Sequence, residues 1–163
     1  MDKRSFLKTA VLASAAVPVL GRVAPAMADV SARNKEIVAL VGDAVFNAHD
    51  FSPIDRHMKA DCIQHNPLVP QGRDGFREFF AMTFAAVPDW AYEPSMLSGE
   101  GDLVWAYGTY TGTQTGEWLG IPPSGKAFAI AAVDIFRLED GQLAEHWDVM
   151  DIYGLFKQLG VIA

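Results

Sequence analysis

The sequence predicts an α+β fold, in which N-terminal helices wrap a curved antiparallel sheet into a cone with an apolar interior. Two segments of the first half, residues 32–48 and 72–86, carry apolar residues at the three-and-four spacing of a one-faced helix. From Ala91 onward the pattern changes to the alternation of strands. The tripeptide Glu139-Asp140-Gly141 then supplies a tight turn between the last two strands. Helices followed by a run of antiparallel strands are typical of this fold class.

The first 28 residues are expected to be an export signal that is not part of the fold. A basic start at Lys3 and Arg4 precedes an apolar stretch of small residues, and Ala26-Met27-Ala28 is a small-x-small cleavage pattern. We expect cleavage before Asp29, a mature domain of residues 29–163, and a periplasmic or secreted bacterial protein. The basic start resembles a twin-arginine signal with Lys in place of the first Arg. An ordinary secretory signal and an uncleaved membrane anchor are the alternatives.

Charge and cysteine content narrow the classes of partner. Loss of residues 1–28 removes four basic residues and one acid, so the formal net charge falls from −7 to −10. Such a surface repels nucleic acid and, after signal cleavage, anionic membranes, and it favours a small neutral or cationic ligand. The single cysteine, Cys62, excludes an internal disulfide and a multi-cysteine metal site. We expect Cys62 to be a small buried residue.

Each helix is predicted from its own local signals. Ser31 can cap the helix over residues 32–48, and a short helical turn is expected over residues 54–59. A short strand over residues 61–66 ends at Pro67, which holds Asn66 extended. The helix over residues 72–86 places its bulky residues on one face: Phe76, Phe79, Phe80, Thr83 and Phe84.

The second half is expected to form the sheet. Strands are predicted over residues 91–97, 103–113, 127–138 and 142–150, and a short helix over residues 152–159. In the second of these strands both alternating sets are largely apolar or aromatic, so both faces should be covered. Residues 112–126 form a long loop, which predicts a lid or a site wall with Trp118 and Leu119 as its apolar plug. A loop that simply packs over one end of the sheet is the alternative.

The candidate acid–base residues lie in the last strand. Alternation puts His146 and Asp148 on one face and Trp147 on the other. On the partner strand, Asp134 lies opposite His146 if the turn has three residues, and opposite Trp147 if it has two. We favour the first, which predicts an Asp134–His146–Asp148 cluster suited to acid–base catalysis. A salt-bridged pair that only ties two strands together is the alternative.

Other candidates have competing interpretations. Asp151 directly precedes a helix, so it can serve either as an acid–base residue or as the helix N-cap. His65 ends a strand between Gln64 and Asn66. Its side chain can either lie at the mouth of a cavity or be exposed to solvent. No metal-ligand spacing such as HxH or HExxH is present, so we expect no metal.

A set of short motifs occurs in an order that matches a known family. They are Gln64-His65-Asn66-Pro67, Gly72 to Phe76, Thr111-Gly112-Thr113, Gly116, Leu119-Gly120-Ile121-Pro122, Gly125-Lys126, Asp134-Ile135-Phe136-Arg137, Gly141, Glu145-His146-Trp147, Asp151 and Gln158-Leu159-Gly160. From about Ile37 to Gly160 the chain resembles the SnoaL-like polyketide cyclase (ester cyclase) family of the nuclear transport factor 2-like (NTF2-like) superfamily.

The resemblance implies a cone-shaped α+β barrel with a deep apolar pocket and a homodimer formed through the outer sheet face. It implies an intramolecular aldol condensation without metal or cofactor, with an Asp as general acid and base. The family patterns match either Asp148 or Asp151, and His65 and Asn66 match a pocket-side motif. Two departures are an export signal, although polyketide assembly is cytoplasmic, and Gln114, where relatives often carry His.

The sequence therefore predicts a cofactor-independent enzyme that abstracts a proton α to a carbonyl of a small apolar substrate. The overall reaction would be an aldol-type cyclisation or an isomerisation. Asp148 or Asp151 is the base, and His146 and His65 orient it or donate to the enolate oxygen. The expected substrate-binding residues are Gln64, Asn66, Trp105, Tyr107, Trp118, Asp134 and Trp147. An exported, non-catalytic ligand-binding module is the alternative, and an epoxide hydrolase or ketosteroid isomerase-like activity ranks below both.

Overall fold

The computed structural model describes residues 23–163, with side chains from residue 29 onward. Most of the predicted export signal lies outside the described residues. The first helix begins at Val23 and runs through the predicted cleavage point, so it starts earlier than residue 32. Within the described part of the chain, no helix is both long and apolar enough to cross a membrane.

The structure has four helices and five strands over the described residues, close to the predicted set. The helices are α1 (Val23–Phe46), α2 (Ile54–His57), α3 (Gly72–Ala86) and α4 (Ile152–Leu159). The strands are β1 (Met58–Gln64), β2 (Ala91–Glu100), β3 (Leu103–Thr113), β4 (Ala127–Glu139) and β5 (Gln142–Met150).

The strands form one curved, unclosed sheet in the order β1-β5-β4-β3-β2. The three pairs from β2 to β5 are antiparallel, as predicted, but β1 pairs with β5 in parallel. The parallel pair arises because the chain leaves β1 through α3 and returns to it only after the whole β2–β5 meander. It places Gln64 beside His146 at the carboxyl end of β1.

The two faces of the sheet are covered differently. Along β3, Val104, Ala106 and Tyr110 are buried on the inner face, which packs against the helices. On the outer face Tyr107 remains 39% exposed, and Val149, which lies on β5 beyond Val133 of β4, is 69% exposed. The expectation that both faces of β3 are covered was therefore wrong, because no described helix lies over the outer face.

A β-bulge sets the register between β4 and β5. The turn has two central residues, Asp140 and Gly141, with φ of 52° and 78°, as a type I′ turn requires. Leu138 pairs with Leu143 but Arg137 pairs with Glu145, so Ala144 is an extra residue. Asp134 consequently lies opposite Asp148. The preferred three-residue turn with a bulge at Gly141 and both predicted partners of Asp134 were wrong, because the bulge lies at Ala144 within β5 and not in the turn.

Candidate active site

Asp134, His146 and Asp148 meet on the inner face of the sheet. Asp134 and His146 are 4% and 1% exposed, while Asp148 is half-buried. His146 Nε2 lies 3.3 Å from Asp134 Oδ1, and one ligating atom from each of the three residues falls within 4.8 Å of the others. The predicted cluster is therefore present, although through a register different from the predicted one.

Gln64 fixes the proton on His146. The Gln64 amide, placed with Oε1 toward the imidazole, lies 2.8 Å from His146 Nδ1. A carbonyl oxygen only accepts, so Nδ1 carries a hydrogen. The other ring nitrogen then faces a carboxylate oxygen, and two acceptors at 3.3 Å require a proton between them. His146 and Asp134 thus share one proton, either as an ion pair or as two neutral groups.

The second oxygen of Asp134 is also bonded. Tyr110 Oη donates to Asp134 Oδ2 over 2.9 Å. Burial, followed by the negative charge of Asp134, raises the pKa of Tyr110 well above its ordinary value. Tyr110 therefore remains a protonated donor at neutral pH. Strand alternation along β3 could have placed Tyr110 on the inner face beside Asp134, but the sequence reasoning did not select it.

Asp148 is the carboxylate of the cluster that is not fully enclosed. Asn66 Nδ2 lies 3.0 Å and 2.7 Å from its two oxygens, and Asn66 Oδ1 accepts from the backbone N–H of Leu68 at 2.8 Å. Burial raises the pKa of Asp148, and this outweighs the opposing effects of the Asn66 hydrogen bond and of His146. A carboxyl group with a raised pKa exchanges a proton more readily near neutral pH.

Gln71 clamps the end of β1 that carries Gln64. Its side-chain oxygen accepts from the Gln64 N–H at 3.0 Å, and its amide nitrogen donates to the Gln64 carbonyl at 2.8 Å. Both backbone groups of Gln64 are thereby satisfied away from the sheet. The sequence did not indicate Gln71, because its contact with Gln64, seven residues earlier, exists only in the folded loop.

Two of the cavities that the described residues form border the cluster. A small one of about 20 Å³ is lined by Asp134, Asp148 and Tyr110, together with apolar side chains of α3 and the loop after β3. A larger one of about 340 Å³ lies between α1 and β2. Asp134 is the cluster residue that lines both.

The loop between β3 and β4 forms part of the wall of the small cavity. Trp118 is buried and its Nε1 donates to Thr83 Oγ1 over 3.2 Å, whereas Leu119 stays 37% exposed. The buried Gln114 Nε2 lies 3.0–3.1 Å from the carbonyl oxygens of Gly116, Ile121 and Pro122, among which its two hydrogens are shared. Gln114 thus has a structural role in closing this loop.

His65 and Trp147 lie away from the cluster. Their rings stack in parallel with centroids 4.3 Å apart, and His65 Nε2 lies 2.9 Å from Glu145 Oε2. Arg137 donates to the other Glu145 oxygen over 2.6 Å. This is a surface arrangement on the opposite side of β5. It corrects the expectation that His65 and Trp147 face the pocket, since alternation turns both away from His146.

Trp105, Tyr107 and Asp151 are also separated from the cluster. Trp105 pairs across the sheet with Ile135, and Ile135 with Trp147, so the three share the outer face. Tyr107 belongs to the same face. Asp151 is exposed and accepts from the Gly154 N–H at 2.8 Å as the N-cap of α4. The N-cap interpretation of Asp151 is correct, and Trp105 and Tyr107 do not line either cavity.

The ligating atoms of Asp134, His146 and Asp148 are close enough to reach one cation, although the sequence showed no metal motif. Asp134 and His146 already bond to one another, and each has a further protein partner. A cation there would have to replace their shared proton. The donor set therefore suits proton transfer without requiring a metal.

Comparison with known proteins places this geometry in a family. The sequence model of the SnoaL-like polyketide cyclases matches residues 36–159. Nogalonic acid methyl ester cyclase of Streptomyces nogalater is 26% identical over 121 residues, which cover 72% of this chain and 90% of that protein. Aklanonic acid methyl ester cyclase DnrD of Streptomyces peucetius is 26% identical over 105 residues, 64% of this chain and 72% of that protein.

Solved structures of other proteins share this fold. TsrD from Streptomyces laurentii superposes with a TM-score of 0.74 at 35% identity, covering 80% of this chain and 97% of that one. Wild-type IdmH from Streptomyces antibioticus has a TM-score of 0.69 at 27% identity, covering 78% and 98%. The α+β architecture with its curved sheet is therefore shared with these proteins.

The raised pKa of Asp148 predicts a pH-dependent stability difference. The folded state holds this proton more tightly than the unfolded chain, so ionised Asp148 costs stability above the raised pKa and costs nothing below the ordinary value of 3.8. Asp148→Asn should increase the free energy of unfolding at pH 7, and the gain should shrink toward pH 4. Urea unfolding at several pH values measures it.

Asp89→Asn is a control for which we expect the opposite change in the free energy of unfolding. Burial acts to raise the pKa of Asp89, but hydrogen bonds from the Thr113 Oγ1 and N–H, at 2.7 and 2.6 Å, lower it overall. Asp89→Asn should lose stability at pH 7 and lose less toward pH 4. A stability deficit of Asp148→Asn that deepens as the pH rises would contradict the burial argument.

Proposed function

The chain belongs to the SnoaL-like polyketide cyclase family, and we propose that it is a cofactor-independent acid–base enzyme with Asp148 as the base. The observation that carries this proposal is a half-buried carboxylate with a raised pKa, next to a buried His–Asp pair. Of the two acids that the sequence left open, Asp148 fits this role, because Asp151 is committed to the helix cap.

The proposed reaction begins with removal of a proton α to a carbonyl by Asp148. The electron pair of the C–H bond moves into an enolate whose oxygen needs hydrogen-bond donors. The proton shared by His146 and Asp134 can supply one such hydrogen bond. The other donor is Trp90, a residue that lines the same small cavity and whose buried Nε1 has no hydrogen-bond partner among the described residues.

Ring closure completes the proposed cycle. The enolate carbon attacks a second carbonyl of the same molecule, which forms a C–C bond and an alkoxide. The alkoxide takes the proton back from Asp148, so the carboxylate is regenerated and no oxidant or metal is consumed. Return of the proton to a different carbon, without attack, would be an isomerisation.

Apolar side chains support this chemistry by keeping water away. Phe79, Phe80 and Trp118 line the small cavity beside Asp148, and a low local dielectric strengthens each polar contact inside. The cavity holds only about 20 Å³, so a substrate must displace side chains at its edge. Leu68 and Leu119 are exposed members of that lining and are the side chains we expect to move.

Asp148→Asn tests the proposal, with an aromatic polyketide methyl ester such as nogalonic acid methyl ester as the first substrate to try. The amide still accepts from Asn66 but takes no proton, so kcat should fall about a hundredfold to ten-thousandfold. Asp151→Asn is the matched control, because Asn caps a helix as well as Asp. It should leave both kcat and Tm near the wild-type values.

The outcome separates the two classes of function. Equal turnover in wild type and folded Asp148→Asn would remove Asp148 as the base. If no carbonyl substrate is turned over but a ligand binds, the exported binding module becomes the better description. Thermal unfolding of each variant confirms that a lost activity is not a lost fold.

We propose in addition that the chain is exported and cut before Asp29, on the basis of its basic start, apolar stretch and small-x-small pattern. Mass spectrometry of the protein from a periplasmic extract should give a chain that begins at Asp29. A full-length chain in the membrane fraction would instead indicate an uncleaved anchor.

We also propose that the outer sheet face forms a homodimer interface, because its apolar side chains are exposed. Tyr107 and Val149 both pair with Val133 across the sheet and are 39% and 69% exposed. Val149→Glu should convert dimers to monomers in light scattering, since a carboxylate would be buried at the contact. Met82→Glu, which changes a 57% exposed Met on α3, should leave the mass unchanged. A monomeric wild type would contradict the proposal.

A further inference from the structure

The tip of the loop between β3 and β4 is a strained turn beside the small cavity. Trp118 and Ile121 exchange both backbone hydrogen bonds, at 3.0 and 2.8 Å, so the tip has two central residues, Leu119 and Gly120. Their φ values of 52° and 76° are those of a type I′ turn. Gly120 adopts such a φ freely. Leu119 does so at a cost, because its Cβ crowds the following carbonyl oxygen.

The same backbone turn occurs a second time in the chain with a different first residue. At the β4–β5 turn, Asp140 and Gly141 have φ of 52° and 78°. Aspartate and asparagine are the non-glycine residues that tolerate the first position of such a turn. Leu119 takes the same φ without that advantage. The leucine opposes the local backbone preference, which points to a role for its side chain.

Burial in the core does not explain the leucine, since Leu119 is 37% exposed. It lines the small cavity together with Asp148, the proposed base. Leu68, which comes from the loop after β1, is the other exposed leucine of this lining. A Cβ added at Gly120 would meet no described atom within 4 Å beyond its chain neighbours, so the tip has room to move. Leu119 therefore lies where the small cavity meets solvent.

The residues around the tip are anchored, which confines movement to the tip itself. Trp118 is buried, and its Nε1 donates to Thr83 Oγ1 on α3. Its ring stacks on Phe128 of β4, with centroids 5.8 Å apart. At the base of the loop, Gln114 Oε1 accepts from the Ser124 N–H at 3.2 Å. These contacts hold the loop to the helix, to the sheet and to itself on both sides of the tip.

We propose that Leu119 is the gate of the small cavity: its side chain keeps water from Asp148 and must move aside before a molecule enters. The leucine covers the cavity while it is empty and swings outward on entry. Trp118 stays in place beside it, so the movement involves the two residues of the tip. Calling the entering molecule a carbonyl substrate rests on the proposed function, whereas the exclusion of water from Asp148 does not.

Leu119→Gly tests the exclusion of water, because it removes the side chain and leaves a residue that favours the φ of the turn. The pKa of Asp148 should fall by about 0.5 or more, toward its ordinary value of 3.8, as water reaches the carboxyl. Asn66, His146 and Asp134, which also act on this pKa, are unchanged. The carboxyl carbon-13 shift of Asp148 in the full chain, assigned by its absence in Asp148→Asn, reports the titration.

Two control variants separate the side chain from the backbone strain. Leu119→Met keeps a side chain of similar volume at the same φ, so the pKa of Asp148 should stay at the wild-type value. Asp140→Gly relieves the same φ at the other turn, outside the cavity lining, and should also leave it unchanged. Thermal unfolding confirms that each variant is folded, and Leu119→Asn, which also suits the turn, repeats the test if Leu119→Gly is not. Equal pKa values of Asp148 in wild type and the folded Leu119→Gly or Leu119→Asn would overturn the gate.

Acrylamide, a small neutral carbonyl compound, measures entry without turnover by quenching tryptophan fluorescence. Trp90 and Trp118 line the small cavity and are 4% and 5% exposed, so they form the slowly quenched population. Leu119→Gly should raise the quenching rate constant of this population roughly twofold or more, and Leu119→Met should not. An unchanged rate constant in Leu119→Gly would overturn the control of entry. Both results stand even if Asp148→Asn keeps its activity, so failure of the gate and failure of the proposed reaction are distinguishable.

Discussion

One extra residue in β5 determines the geometry of the acid–base cluster. Because Ala144 is bulged, Asp134 on β4 pairs with Asp148 instead of Trp147. Paired residues share a face, so the bulge brings Asp134 to the same inner face as His146 and Asp148. Without it Asp134 would share the solvent-facing side with Trp147, and His146 would lose the carboxylate that holds its second nitrogen.

The buried His–Asp pair explains why Asp148 is the group left to react. Asp134 has two bonded partners, Tyr110 and His146, and His146 has Gln64 on its other nitrogen. Every polar atom of this chain of contacts is satisfied, which is what makes a buried charge or shared proton tolerable. Asp148 instead bonds to a neutral amide and keeps partial access to solvent, so its proton is free to move.

Much of this could be predicted from the sequence, because strand alternation and helix periodicity are local. The bounds of α3, β3, β5 and α4 and the shared face of His146 and Asp148 follow from those patterns. The remainder depends on contacts that no local pattern encodes. The bulge at Ala144 follows from how β5 pairs with its neighbours. The parallel β1–β5 pair turns His65 outward.

Asp134 connects the two cavities, and a carboxylate suits that position better than an amide would. Its two oxygens offer about four acceptor sites, of which Tyr110 and His146 use one each. A donor from a ligand in either cavity can therefore be accepted without releasing the existing partners. An amide at this position would offer a single acceptor oxygen and an N–H group facing Tyr110 or His146. The position that joins the cavities thus favours a residue that accepts from several directions.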